Sequence, residues 1–309
     1  MATPNTGSIP QESLNEVTPG LEQPMGSIAD ELCVRRTDVQ STSGTAPFLS
    51  TEMTTSKGLN KDLAPGETAH PDRAEMGEIE YECKRQVGMS EIYDETDIAA
   101  QRFDIELIDH FSSQAQQDAD TATDRKFEDV ITSTTDNLEF DATVDGNGAW
   151  DDTSNGTPVQ DMVDMSDKVP HSTMVIVGRS ITSALKKHPE VGGEVFHYSG
   201  GGVVTTSHLE GLIAEQFDIE PSDVHLLTDR TYDSAGRGQD FELDFIADTA
   251  FWVGAGYDLQ MFDPDHPKNR RSWSDRVNAA GKEQVGFQRM VDIKRHIQEN
   301  AITGTNLLS

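Results

Sequence analysis

Residues 97–131 form a long patterned run with neither glycine nor proline. Ala100, Phe103, Leu107, Phe111, Ala115, Ala119 and Ala122 recur at steps of three or four, the spacing of one face of an α-helix. Ile98, Ile105 and Ile108 widen this stripe at its start, and Thr96 or Asp97 supplies a cap. A helix of this length extends about 50 Å. Its stripe passes from large residues to small ones, which lets a sheet or a neighbouring backbone approach closely. An alanine-rich second half without Leu or Ile at regular a and d positions fits a coiled coil poorly.

The regions on either side of the helix differ sharply. Residues 1–45 are rich in Pro, Ser, Thr, Gly and Glu, with apolar points at Ile9, Leu14, Val17, Leu21, Ile28, Leu32 and Val34 that keep no period. One short helix fits within 28–34; the rest reads as an extended arm that cannot bury its own surface. Residues 46–95 read as a two-stranded excursion. Phe48–Met53 goes out, Pro65-Gly66 suits a turn at the tip, and Glu78–Val87 returns with Ile79, Tyr81, Cys83 and Arg85 on one side. Such a ribbon is marginal alone and needs a surface to lie on. After a polar loop at 132–156, residues 157–262 read as compact α/β. Thr157-Pro158 opens one helix, Ser180 opens another that stops at Pro189, and Thr206 caps a third. Strands are expected at Thr173–Val177, Val224–Leu227, Phe241–Phe245 and Ala250–Val253. Residues 268–296 hold Lys268, Arg270, Arg271, Arg276, Lys282, Arg289, Lys294 and Arg295, and Phe287, Val291 and Ile293 mark one or two returning strands.

The formal net charge is −31, from 55 acidic against 24 basic residues, with only 35% hydrophobic residues. Asp outnumbers Glu, Arg outnumbers Lys, and charge is spread through patterned segments as well as loops. That distribution favours adaptation to molar salt over disorder. At 1 M ionic strength the Debye length is about 3 Å, so the self-repulsion of such a surface is screened. The charge argues against tight DNA or RNA binding by the whole surface and against an anionic membrane. No apolar run approaches the ~20 residues that cross a bilayer, and no signal peptide is evident. Cys33 and Cys83, the only cysteines, read as free thiols.

Motifs for chemistry are thin. Tyr198-Ser199-Gly200-Gly201-Gly202 lacks the Lys and Ser/Thr of a phosphate loop and reads as a hairpin. Asp141, Asp145, Gly146 and Asn147, with Asp151 and Asp152, miss the spacing of a calcium loop and read as a solvated acidic turn. None of His70, His110, His171, His188, His197, His208, His225, His266 and His296 makes an i, i+4 zinc pair. His188 and His266 each precede a proline. Lys57 and Lys61 read as solvated. No catalytic, cofactor-binding or metal-ligating residue is assigned, and no cofactor is expected.

From Trp150 to Leu259 the chain resembles tailed-virus major capsid proteins of the Hong Kong 97 phage type. The resemblance rests on an ordered series: Trp150-Asp151, Thr157-Pro158-Val159-Gln160-Asp161-Met162, Ser172-Thr173-Met174-Val175-Ile176-Val177-Gly178, and Leu185-Lys186-Lys187-His188-Pro189-Glu190-Val191. Leu209 to Phe217, Val224, Tyr232 and the turn Ala235-Gly236-Arg237-Gly238 continue it. The resemblance implies an α+β capsid fold. Residues 1–45 are then an N-terminal arm and 46–95 an extended β-hairpin loop. Residues 96–156 and 263–309 form a peripheral domain with a long spine helix, and 157–262 an α/β axial domain.

It further implies a non-enzymatic shell protein that assembles into hexamers and pentamers around double-stranded DNA, within a virion. Portal and decoration proteins are the partners this implies. Because Met1 lies close before the loop, a separate scaffold, or none, is expected rather than cleavage at this end. No crosslinking Lys–Asn pair carries over. Together with the acidic charge, the resemblance points to a virus of a salt-loving archaeon. The competing readings are an encapsulin-like protein compartment and a halophilic cytosolic α/β enzyme or binding protein.

Overall fold

The computed structural model describes residues 26–37, 39–49, 76–93, 107–169, 171–196, 202–227, 231–233, 243–265, 269–277, 282–295, 297 and 300–309. In chain order the elements are α1 (Ile28–Leu32), β1 (Val34–Arg36), β2 (Ser43–Leu49), β3 (Met76–Glu82), β4 (Lys84–Tyr93), the long α2 (Leu107–Thr132) and β5 (Leu138–Asp141). Then come α3 (Pro158–Lys168), β6 (Met174–Gly178), α4 (Arg179–Lys187), α5 (Pro189–Val195), α6 (Thr206–Phe217), β7 (Val224–Leu227), β8 (Thr231–Asp233) and β9 (Leu243–Phe245). β10 (Phe251–Gly254), β11 (Leu259–Phe262), β12 (Arg271–Val277), β13 (Lys282–Arg295) and β14 (Ala301–Thr305) complete the chain.

One mixed sheet has the order β5-β14-β10-β6-β7. Its strands alternate between two cores. Val175, Val177, Phe251, Val253 and Ile302 face α3 to α6 in one apolar cluster. Ile176, Trp252 and Ala301, one step out of phase, face the end of α2 in a second. A strand covered on both faces reads as a continuous apolar run, which is why Met174–Gly178 stands out in the sequence. Helix ends follow local chemistry. Pro158 sits in the first turn of α3. The His188 imidazole Nδ1 accepts the Glu190 N–H at the start of α5. The cap of α6 is Thr205, in a reciprocal pair with His208, rather than the expected Thr206.

The second sheet is organised by β13. Residues 282–291 pair antiparallel with β4, 282–288 with β12, and 292–295 with β11. β1 adds in parallel to β11. The division expected at 262/263 is crossed by strands in both directions. β11 belongs to this second sheet, whereas β14 lies inside the first one, between β5 and β10. Residues 26–36 also differ from the expected arm. Ile28, Ala29, Leu32 and Cys33 are buried in the α2 core; spaced at one helical turn, Ile28 and Leu32 give α1 a face to bury. β2 and β3 form the expected ribbon, with the outgoing strand starting at Ser43 rather than Phe48. The returning segment breaks at Cys83. Tyr81 and Cys83 are buried, then Gln86 and Gly88, so the alternation slips phase and Arg85 stays exposed.

Candidate functional site

The candidate site is the plate that α2 makes with β4 and β13, together with the N-terminal segment clasped to it. Ala115 and Ala119 are fully buried on the plate. A Cβ at Gly88 would run into the Ala115 carbonyl oxygen, so only glycine on β4 permits this approach. The small half of the helical stripe therefore seats a sheet backbone. Past Ala119 the buried face runs through Thr123, Phe127 and Ile131, while Ala122 is only half-buried. Phe103 lies outside the described residues, as does the side chain of Leu107. The plate is stitched by polar bonds. The Thr123 hydroxyl donates to the Gln86 side chain (2.6 Å), which donates back to the Ala122 carbonyl (3.3 Å). The Lys126 ammonium donates to the Val291 carbonyl (2.8 Å), and burial holds its pKa below the usual lysine range despite nearby Asp292.

The N-terminal segment docks through carboxylates of α2. Asp124 accepts from the Ser27 hydroxyl (2.6 Å) and the Ala29 N–H (3.1 Å). Arg289, almost wholly buried, bridges Asp30 (2.5 Å) and Asp120 (3.2 Å). Asp30 also pairs with Arg35 and, at 3.0 Å, with Arg270; Asp263 accepts both of these arginines at 3.3 and 3.5 Å. Burial pulls the Asp30 carboxyl upward, but Arg289, Arg270 and Arg35 outweigh it and hold it below the usual range. At Asp120 burial prevails over Arg289, and the carboxyl is pushed up to about 6. No expectation from the sequence covers this cluster. Its signal is there: Asp120 and Asp124 fall on the stripe that holds Ala119 and Phe127, and a buried acid needs a cation.

A second knot joins the two sheets. Arg295 pairs with Asp258 at 3.4 Å and donates to the Asp136 carbonyl (2.6 Å) and to Asn137. The Trp252 indole donates to the same Asn137 at 3.0 Å. At the ribbon base Tyr81 stacks on Phe262, with centroids 4.7 Å apart. On the sheet face opposite α2, Val87 and Met89 are exposed, and Arg85 lies 5.8 Å from the centre of the Trp273 ring.

The acidic turn serves structure. Asp141 accepts from Thr143 and Asn306, Asp152 from Ser154 and Asn155, and Asp151 from the Ser309 N–H and hydroxyl. Among the described residues no three His, Cys, Asp or Glu side chains are grouped to hold a metal ion. The motif residues Trp150 and Asp161 meet: the indole donates to the carboxylate at 2.7 Å. The Thr157 hydroxyl also donates to Asp161 (3.2 Å) instead of capping α3. Cys33 and Cys83 are buried free thiols; burial, then Asp292, pushes Cys83 up to about 12. His188 and His208 are spent on helix starts, and burial lowers the pKa of His225. Lys57, Lys61, His70, His197, His266, His296, Tyr198–Gly201 and Ala235–Gly238 lie outside the described residues. No described helix is long and apolar enough to cross a membrane.

No protein-family model matches the chain, and no curated protein matches its sequence. Solved structures do match. A phage-related protein from Bordetella bronchiseptica superposes with a TM-score of 0.62 at 12% identity, covering 91% of each chain. The capsid structure of cyanophage P-SCSP1u gives 0.55 at 13% identity, covering 90% of this chain and 87% of that one. The chain has the Hong Kong 97-type capsid fold. A virus-like particle from Pyrococcus furiosus is similar at a TM-score of 0.50 and 8% identity over 95% of both chains.

Proposed function

We propose that this chain is the major capsid protein of a tailed virus. It self-assembles into hexamers and pentamers of an icosahedral shell that encloses double-stranded DNA in the virion. The supporting observation is that the likeness to the cyanophage capsid structure covers 90% of this chain, far more than the α/β body alone. A likeness restricted to the α/β body would fit an enzyme equally well. A plate whose far face exposes Val87 and Met89, with a ribbon leaving its edge, is built to be covered by neighbours, and heterologous contacts that close into rings give such oligomers. Residues 157–262 form the greater part of an axial unit in this reading, and α2 is the spine of a peripheral one. Portal, scaffold and decoration proteins are the remaining partners. Sequence-specific DNA contact is not required of a surface this acidic.

The net charge of −31 supports a virus of a salt-loving host, of which an archaeon is the reading we favour. Light scattering during dialysis from molar to millimolar salt should show particles falling apart; shells that stay whole without divalent cations would end the salt argument while leaving the capsid assignment standing. The likeness to the Pyrococcus furiosus particle supports a second reading, a protein compartment. Electron microscopy of purified particles separates the two: large DNA-filled shells support the capsid, small shells filled with protein support the compartment, and soluble monomers under all salt conditions refute both.

A further inference from the structure

Among the described residues, the cluster beneath α1 carries one more carboxylate than guanidinium. Asp30 on α1, Asp120 and Asp124 on α2, and Asp263 after β11 face Arg35 on β1, Arg270 before β12 and Arg289 on β13. The Cys33 thiol beside them is neutral, its pKa raised by burial and by Asp124. Three of the carboxylates are well served. Asp30 takes three arginines. Asp263 takes two arginines and the Asn269 amide. Asp124 takes the Ser27 hydroxyl and a backbone N–H. Asp120 is buried at 6% exposure and holds a single arginine contact of 3.2 Å, to a guanidinium that is 2.5 Å from Asp30.

We propose that Asp120 is a proton-controlled latch for the N-terminal segment: protonated, it balances the cluster at three charges of each sign and yields Arg289 to Asp30, so α1 and β1 are held more tightly at mildly acidic than at alkaline pH. When Asp120 ionises, Asp30 and Asp124 repel it, and both are the groups through which the segment is bound. The direction follows from linkage. Burial raises the Asp120 carboxyl to about 6 in the folded chain against an ordinary 3.8. The docked state therefore binds the extra proton, and its advantage is present below the folded value and lost as pH rises through it. Asp30 moves the opposite way, held below its ordinary value by arginines, so its contribution survives at pH 5 and fails only in stronger acid. The latch concerns the subunit alone and holds whether or not the chain forms shells.

Hydrogen exchange of the full chain at fixed molar salt, corrected for the intrinsic pH dependence of exchange, tests this on peptides covering residues 27–36. If undocking restores an ordinary Asp120, protection should be about tenfold higher at pH 5 than at pH 8, with a midpoint near 6. Asp120→Asn, neutral at every pH, should show the high, flat profile, and Asp118→Asn on the exposed face of α2 should keep the wild-type profile. A flat wild-type profile overturns the latch, as does an Asp120→Asn chain that keeps the wild-type pH dependence. Failure of Asp120→Asn to fold at pH 8 also overturns it, since a neutral side chain is then not tolerated where a proton was inferred.

Discussion

The α/β body and the plate are closed by different forces. In the body a five-stranded sheet is covered on both faces, with Trp150 edge-on to Phe251 at 5.0 Å and Phe217 tilted against the same ring. In the plate, α2 meets the sheet through alanines, a glycine, Thr123, Gln86, Lys126 and the Asp30–Arg289–Asp120 bridge. Apolar burial is non-directional, so the helix-covered face of the body closes without the plate, while its other face shares an apolar core with the end of α2. Polar stitching is directional; it fixes a register but adds little net stability per bond, about 0.5–1.5 kcal/mol. A long thin element held in that way keeps its shape well and its stability poorly. That suits a piece whose neighbours complete it.

The largest test of this contrast removes the seam between the two regions. Deleting residues 1–45 takes away α1, β1 and the first three residues of β2. Ile28 and Leu32 each contribute roughly 1.5–3 kcal/mol by burial, and taking Asp30 from Arg289 and the Ser27 hydroxyl and Ala29 N–H from Asp124 adds about 1–3 kcal/mol. The sum, about 4–9 kcal/mol, is comparable with a domain's usual stability of about 5–15 kcal/mol. Circular dichroism should show an unfolded chain. Deleting only 1–25 leaves these contacts in place and should preserve the melting transition; equal behaviour of the two truncations would place the segment outside the core.

Within the body, Phe251→Ala should cost about 3–5 kcal/mol, read by denaturant unfolding of unassembled subunits. A cost under about 1 kcal/mol would mean that the body is not closed by its apolar core. Within the plate, Gly88→Ala should cost about 1–3 kcal/mol by overpacking. The obstacle is the Ala115 backbone carbonyl, so adding Ala115→Gly should not rescue it. Rescue would show a side-chain clash and a looser helix seat than the structure has.

The sequence is most legible where apolar period and burial coincide. Met174–Gly178 and Val224–Leu227 are found nearly at their expected bounds because both faces of that sheet are apolar. The shift of α2 from large to small side chains foretells the close approach that Gly88 completes. Less legible are the positions where partners come from far along the chain. β14 joins β5 across more than 150 residues, and nothing local in Ala301–Thr305 names that sheet. Residues 28–34 carry too few apolar points to announce that they are core rather than arm. Arg289 lies in a visibly basic segment, but only the fold brings it to Asp30 and Asp120.

The smallest predicted effect reads the opposite side of the same helix. Asp118 lies one position before buried Ala119 and two before buried Asp120, yet it is exposed. Asp118→Asn removes a charge without creating a cavity or stranding a partner, so its effect should stay within about 0.5 kcal/mol and shrink further in molar salt, where charges beyond about 3 Å are screened. Thermal unfolding of Asp118→Asn beside Asp120→Asn at pH 8 compares two chemically identical changes at sites that differ in burial and in charged neighbours, Asp120 lying against Arg289, Asp30 and Asp124. A small shift for the first and an upward shift for the second locate the polar stitching on one face of α2. Equal shifts would mean that the helix responds to total charge, and the plate would then be held by its overall electrostatic field instead of by particular contacts.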